Sequence, residues 1–222
     1  PQDVILPSCD NLLDEKADEI LIKICNFIDE LLEKMYGLSR FYKVKNRSDL
    51  VGHLIIGLSP HTSAGIIGRI IGFSKTQGYY CHPYFHSFMR RDCDGDEACF
   101  LLLLDAFLNF SRSFLPGHRG AQQDEPIVLA TRIIASEVDD MVFDMDIDDH
   151  YPLELYEAAM EYKYPWEIKI KTVRDNMNIG KEYSGFMFTH DTANINNGTT
   201  CSSYKTIPSM KDKVFGQMKL AE

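Results

Sequence analysis

The sequence is poor in the features that would mark a membrane, secreted or repeat protein. No apolar run reaches the roughly 18 residues that a membrane span requires, and the longest, over 98–110, is interrupted by Asp105 and Asn109. The six cysteines, at 9, 25, 81, 93, 99 and 201, include no C-x-x-C pair. Neither a zinc knuckle nor a disulfide framework is indicated, and the thiols fit a reducing cytoplasm. Internal repeats, low-complexity tracts and a signal peptide are also missing. Without a secretory route the sequons at Asn46, Asn109 and Asn197 carry no meaning. The first residue is Pro1 and the last segment, 211–222, reads as an unfinished helix, so a piece of a larger protein is expected.

Positive charge is scarce overall, with 23 Lys and Arg against 33 Asp and Glu and a net charge of −10. The deficit is unevenly spread: residues 1–37 carry −6, residues 38–91 carry +7 with four of the seven histidines, and residues 92–222 carry −11. A basic third that ends at an acidic loop is a plausible place for phosphates to arrive.

That loop is Arg90-Arg91-Asp92-Cys93-Asp94-Gly95-Asp96-Glu97. If it is extended, carboxylates at every second position share a face and can surround a hard divalent cation. Gly95 permits a tight turn or the close approach of a ligand, and two guanidinium groups beside a cation suit a phosphate chain. The bland alternative is a solvated acidic turn. An EF-hand is excluded, because it needs glycine at loop position six and glutamate at twelve, whereas counting from Asp92 the glycine is fourth and the twelfth residue is Leu103.

Hydrophobic patterning predicts a mixed α/β chain. A short entry strand over 4–6 leads to an amphipathic helix that starts at Ser8 or Asp10, repeats Leu13, Ala17, Ile20, Leu21, Ile24, Phe27, Ile28, Leu31 and Met35, and stops at Gly37. A short helix near Ser48, capped by Ser48 or Asp49, precedes a buried strand over 53–58. A small-residue turn follows over 59–65, and then a glycine-interrupted apolar stretch of tightly packed strands. His82 and His86, four residues apart, are read as packing histidines before metal ligands, with nucleotide contact an open alternative. The run 98–110 reads as a buried helix whose N-terminus would favour the ionised acids just ahead of it. Strands are expected over 126–134, 168–173 and 183–189, a helix over 153–162, and an extended half-buried segment over 144–148.

Asp92-Cys93-Asp94-Gly95-Asp96 resembles the D-x-D-G-D magnesium loop of multisubunit RNA polymerases, and the longer match resembles the large catalytic subunit of archaeal family D DNA polymerases. The likeness runs almost end to end. It includes Gly52-His53-Leu54-Ile55-Ile56-Gly57-Leu58, Pro60-His61-Thr62-Ser63-Ala64-Gly65, Gly68-Arg69-Ile70-Ile71-Gly72-Phe73 and His82-Pro83-Tyr84-Phe85-His86. Leu108-Asn109-Phe110-Ser111-Arg112, Tyr151-Pro152-Leu153-Glu154, Phe188-Thr189-His190-Asp191 and Tyr204-Lys205 extend it. The family usually carries asparagine where this chain has Asp92.

The resemblance implies part of a double-psi β-barrel polymerase core with flanking helices, followed by a small α+β segment. On it the chain divides into a helical lead-in over 1–45, a catalytic barrel segment over 46–135 with the metal loop at 90–97 and a buried helix at 98–115, and an accessory segment over 136–222. Asp94 and Asp96 would bind Mg²⁺ and Asp92 would assist, with two ions roughly 4 Å apart promoting attack of a primer 3′-hydroxyl on a dNTP. Arg90, Arg91, His61, Arg69, Arg112 and Arg119 are the candidates for DNA or substrate contact. The implied partners are primer-template DNA, dNTPs, a small proofreading nuclease subunit and a sliding clamp, in an archaeal cytoplasm at the nucleoid, with no membrane. A second barrel in the same subunit would complete the site, so this fragment alone is expected not to polymerise. Two other classes use the same residues: a metal-dependent nuclease or phosphohydrolase, and a non-catalytic assembly module of a replication complex.

Overall fold

β-Branched residues flanked by glycine build the sheet at the centre of the chain. A computed structural model describes residues 2–9, 16–60, 62–91, 96–114, 127–187, 193–197 and 209–222, with backbone only for 110–112. The strands are β1 (Asp3–Pro7), β2 (Leu54–Leu58), β3 (Ala64–Ser74), β4 (Tyr80–Cys81), β5 (Cys99–Leu102) and β6 (Val128–Ala130). Their order is β4-β1-β3-β2-β5, with β6 also paired to β3. β2 is antiparallel to both β3 and β5, whereas β6 is parallel to β3, so the sheet is mixed. The helices are α1 (Ala17–Lys34), α2 (Pro83–Phe88), α3 (Asp105–Phe114), α4 (Leu153–Met160) and α5 (Met210–Ala221). None of the described helices is long and apolar enough to cross a membrane.

The chain forms two compact units, one made of Pro1–Val4, Gly52–Ile71 and Cys81–Ala193 and the other of Ile5–Val51, Gly72–Tyr80 and Asn194–Glu222. In the first, Ile55, Ile56, Ile66, Ile70, Tyr84, Phe85, Leu102, Ile133, Ile147 and Val173 form the core. Two glycines set how closely α2 lies on its sheet. A Cβ on Gly57 would stand 3.0 Å from the Phe85 ring, and one on Gly68 would stand 2.9 Å from it. The glycine-interrupted stretch is therefore sheet, as its pattern predicted, and at these two positions the missing side chains make room for a buried aromatic ring.

In the second unit α1 packs Leu21 and Cys25 inward, together with two carboxylates, Asp18 and Asp29. Asp29 is 1% exposed and accepts the N–H groups of Phe41, Tyr42 and Lys43 at 2.7–2.8 Å. Burial alone would raise its pKa, but the three donors, with Arg40 nearby, prevail and hold the carboxyl below its usual value. Lys43 takes a left-handed backbone, φ 52°, at the end of that clasp.

Several expectations are corrected. The described α1 begins behind Lys16, without a side-chain cap, and Ser8 Oγ donates instead to Asp18 at 2.8 Å; Asp10, the other expected start, lies outside the described residues. The short helix near 48 is a 3₁₀ turn, Arg47–Leu50, capped by Asn46 with Asp49 reciprocating. The helix expected over 98–115 begins as strand β5, because its first residues bond to the open edge of β2, and turns helical only at Asp105. The described part of 126–134, from residue 127, gives only the three-residue β6. The stretch 168–173 holds a single bridge, Asp146 to Thr172, and no strand occurs in the described part of 183–189, up to residue 187. In 144–148, Asp144 closes a 3₁₀ turn and Ile147 is buried, so only the inward isoleucine of the expected alternation is clear.

Candidate functional site

The sheet register brings several connections to one place. β2 ends at Leu58, opposite Gly65 of β3 and Cys99 of β5, and Val128 of β6 stands beside Ala64. Ser59 after β2, Ala98 before β5 and Ile127 before β6 thus stand next to strand residues at the same end of the sheet. His61, Asp92, Asp94 and Arg119 belong to these connections but lie outside the described residues, as does the side chain of Arg112.

The described part of the loop is built from α2. His82 caps this helix by accepting the Tyr84 N–H at Nδ1, 3.2 Å away, and Pro83 occupies the first turn, where its missing N–H costs nothing. Phe85 anchors the helix on Gly57 and Gly68. The chain then leaves through Arg90, whose φ of 53° turns it sharply and leaves its side chain exposed. Arg91 is partly buried and one of its terminal nitrogens lies 3.5 Å from Asp96 Oδ2, so the two residues bracket the loop. Ser59, 3% exposed, donates its hydroxyl to the Met89 carbonyl and ties the neighbouring turn to the end of α2. Thr62 closes that turn by donating to the Ser59 carbonyl at 2.8 Å.

Arg69 is placed differently. It is exposed on β3 opposite Leu54, four residues from the Gly65 pair, which is about 14 Å along the strand. His82 is a packing residue: it stacks among Tyr84, Tyr183 and Phe186, and burial pushes its pKa down to about 4. It is therefore neutral at physiological pH, which suits it to a core and not to a phosphate. Tyr183, which sequence reasoning assigned only to a strand, locks this cluster by donating to Ile133 O at 3.0 Å and accepting the Ala135 N–H at 3.1 Å.

The acidic loop precedes a strand and not a helix, so no macrodipole favours its carboxylates. Among the described residues no three His, Cys, Asp or Glu side chains gather as a metal site. Asp96, the described member of the candidate triad, supplies the hard oxygen donor that a magnesium-type ion prefers.

The chain is a mixed α/β protein with an acid-rich, arginine-led sequence running into β5. The family described as "DNA polymerase II large subunit DP2, catalytic domain" matches residues 1–213, and the chain belongs to that family. It is 51% identical over its whole length to the DNA polymerase II large subunit of Archaeoglobus fulgidus, covering 19% of that protein. It is 50% identical to the large subunit of Pyrococcus furiosus, covering 17% of it. Over 96% of the chain it is 48% identical to the large subunit of Methanothermobacter thermautotrophicus, covering 20% of that protein. The chain thus spans about one fifth of the length of the curated relatives it matches.

Proposed function

We propose that this chain is the catalytic segment of a DNA-directed DNA polymerase of the two-subunit archaeal type, transferring nucleotides from dNTPs to a primer 3′-hydroxyl. The observation that carries the reading is the 1–213 match to a DNA polymerase catalytic domain.

Asp94 and Asp96 would hold Mg²⁺, with Asp92 assisting, since hard oxygen donors fit that ion. When bound, the metal supplies charge stabilisation at the reacting phosphate and a lowered pKa for the attacking hydroxyl. Arg90 and Arg91 at the loop, with His61, Arg112 and Arg119, would meet phosphates, and Arg69 would contact DNA farther along β3. The sheet would form part of a double-psi barrel over 46–135, between the 1–45 lead-in and the 136–222 accessory segment, completed by a second barrel elsewhere in the subunit. Primer-template DNA, a small proofreading subunit and a sliding clamp would be the partners, at the archaeal nucleoid.

The test is primer extension by the complete large subunit with its small subunit, comparing wild type with Asp94→Asn and Asp96→Asn at fixed Mg²⁺ and salt. Loss of extension with DNA binding retained is expected. Unchanged extension by both variants would move the active site elsewhere.

A further inference from the structure

A run of exposed apolar side chains in the first unit lies far from the acidic loop in sequence, over 153–167. α4 is seated by Ala158, 6% exposed, and turns the other way a stripe of Leu153, Tyr156 and Met160, the last 81% exposed. These residues are three and four apart and so lie along one helix face. Directly after the helix, Tyr162 is 94% exposed and takes a left-handed backbone, φ 58°, which is unusual for a bulky residue. Tyr164 and Trp166 follow, their rings stacked at 4.5 Å and 7° and both open to solvent. Trp166 is the only tryptophan of the chain. A surface aromatic stack beside an apolar helix stripe is the composition of an interface hot spot.

The charge around it restricts what can bind. The segment carries Glu154, Glu157, Glu161 and Glu167 against the single Lys163, whose ammonium group is already paired with Glu161. A net charge of −3 on this stretch repels nucleic acid and anionic lipid. It attracts a cationic polypeptide, and the exposed faces of Tyr164 and Trp166 are suited to guanidinium groups that also reach glutamate.

We infer that the 153–167 surface is a docking site for a basic, arginine-bearing segment of the same large-subunit polypeptide, lying outside these 222 residues. Related large subunits are about five times longer than this chain, which covers 17–20% of them. A covalently tethered segment meets its site at high effective concentration and needs little intrinsic affinity. The inference rests on the surface and on family membership; it does not depend on where the catalytic metal binds.

The experiment places a photoreactive benzoyl-phenylalanine at Trp166 in the full-length large subunit, an exposed position where the exchange leaves the core untouched. The subunit is irradiated alone, with its small subunit, and with primer-template DNA, and the cross-linked peptides are sequenced. Intrachain cross-links to an Arg- and Lys-rich peptide outside the 222 residues, in all three samples, are expected. Reversing Glu157 and Glu161 together (Glu157→Lys, Glu161→Lys) should lower their yield about fivefold. Cross-links only to the small subunit, to DNA, to a second copy or within the 222 residues would overturn the inference, as would no cross-link at all. An unchanged yield after charge reversal would overturn the electrostatic part of it.

Discussion

The ring of Phe85 occupies the space that a side chain on Gly57 would need, with ring carbons 3.0 Å from the position of an added Cβ. Met89 sulfur is nearly as close, at 3.1 Å. A central strand and the helix that launches the acidic loop therefore depend on one absent methyl group.

Gly57→Ala should loosen α2 from the sheet at a cost of about 1–3 kcal/mol, the usual range for overpacking a core. Hydrogen exchange of the β2 and α2 peptides in the full large subunit reads this directly. Gly72→Ala is the control, because nothing lies within 4 Å of its added Cβ. Equal protection in the two variants would show that the contact is not limiting.

Asp29→Asn keeps the size of the buried side chain but removes its charge. Two carboxylate oxygens that served three N–H donors become one oxygen and one amide, at a cost of about 1–3 kcal/mol. Because the folded pKa lies below the unfolded one, the stabilisation is complete above the ordinary Asp range and disappears as pH falls through the folded value. Urea unfolding of the 5–51 region should thus show a wild-type advantage at pH 7 that shrinks in acid. An advantage independent of pH would remove the charge from the explanation.

His82 has the opposite chemistry and the same direction of pH dependence. Its folded pKa, about 4, lies below the 6.5 of a free histidine. Below pH 6.5 the unfolded chain takes up a proton that the folded chain refuses, so stability falls between pH 6.5 and 4, by at most about 1.4 kcal/mol per unit. His82→Phe should flatten that slope. An imidazole that titrates near 6.5 by NMR in the folded subunit would contradict the buried assignment.

Arg90 allows backbone and side-chain roles to be separated. Its φ of 53° suits glycine, so Arg90→Gly should preserve or slightly raise stability while deleting the guanidinium. If Arg90 meets phosphate, DNA affinity should drop and the salt dependence of binding should become shallower by about one counterion. Filter binding at several salt concentrations measures both, and identical slopes for wild type and variant would remove Arg90 from the interface.

Parts of this structure were legible in sequence because the signals were local. Glycines bounding 53–58 marked β2, and the spacing from Ala17 to Leu31 marked α1. The misread run at 98–115 shows the limit. Its apolar residues fit a buried helix as well as a buried strand, and the β2 edge that decides between them is more than forty residues away in sequence. The clue that was present was Asp105, a residue that favours helix starts, which divides the run into its strand and its helix. Nothing in helical spacing marks Asp29 as buried, since its three N–H donors come from a later loop. The candidate site was legible as a motif, while its relation to the 59–63 turn came only from strand register.

The bond from Ser59 to the Met89 carbonyl gives that relation a mechanical meaning. It joins the first residue after β2 to the first residue after α2, at the rim of the sheet. Any strain that displaces one is passed to the other through a buried hydroxyl, beside the packing of Phe85 and Met89 on Gly57. A site assembled on this rim would be switched off as a whole and not in parts, with a buried serine as one of its joints.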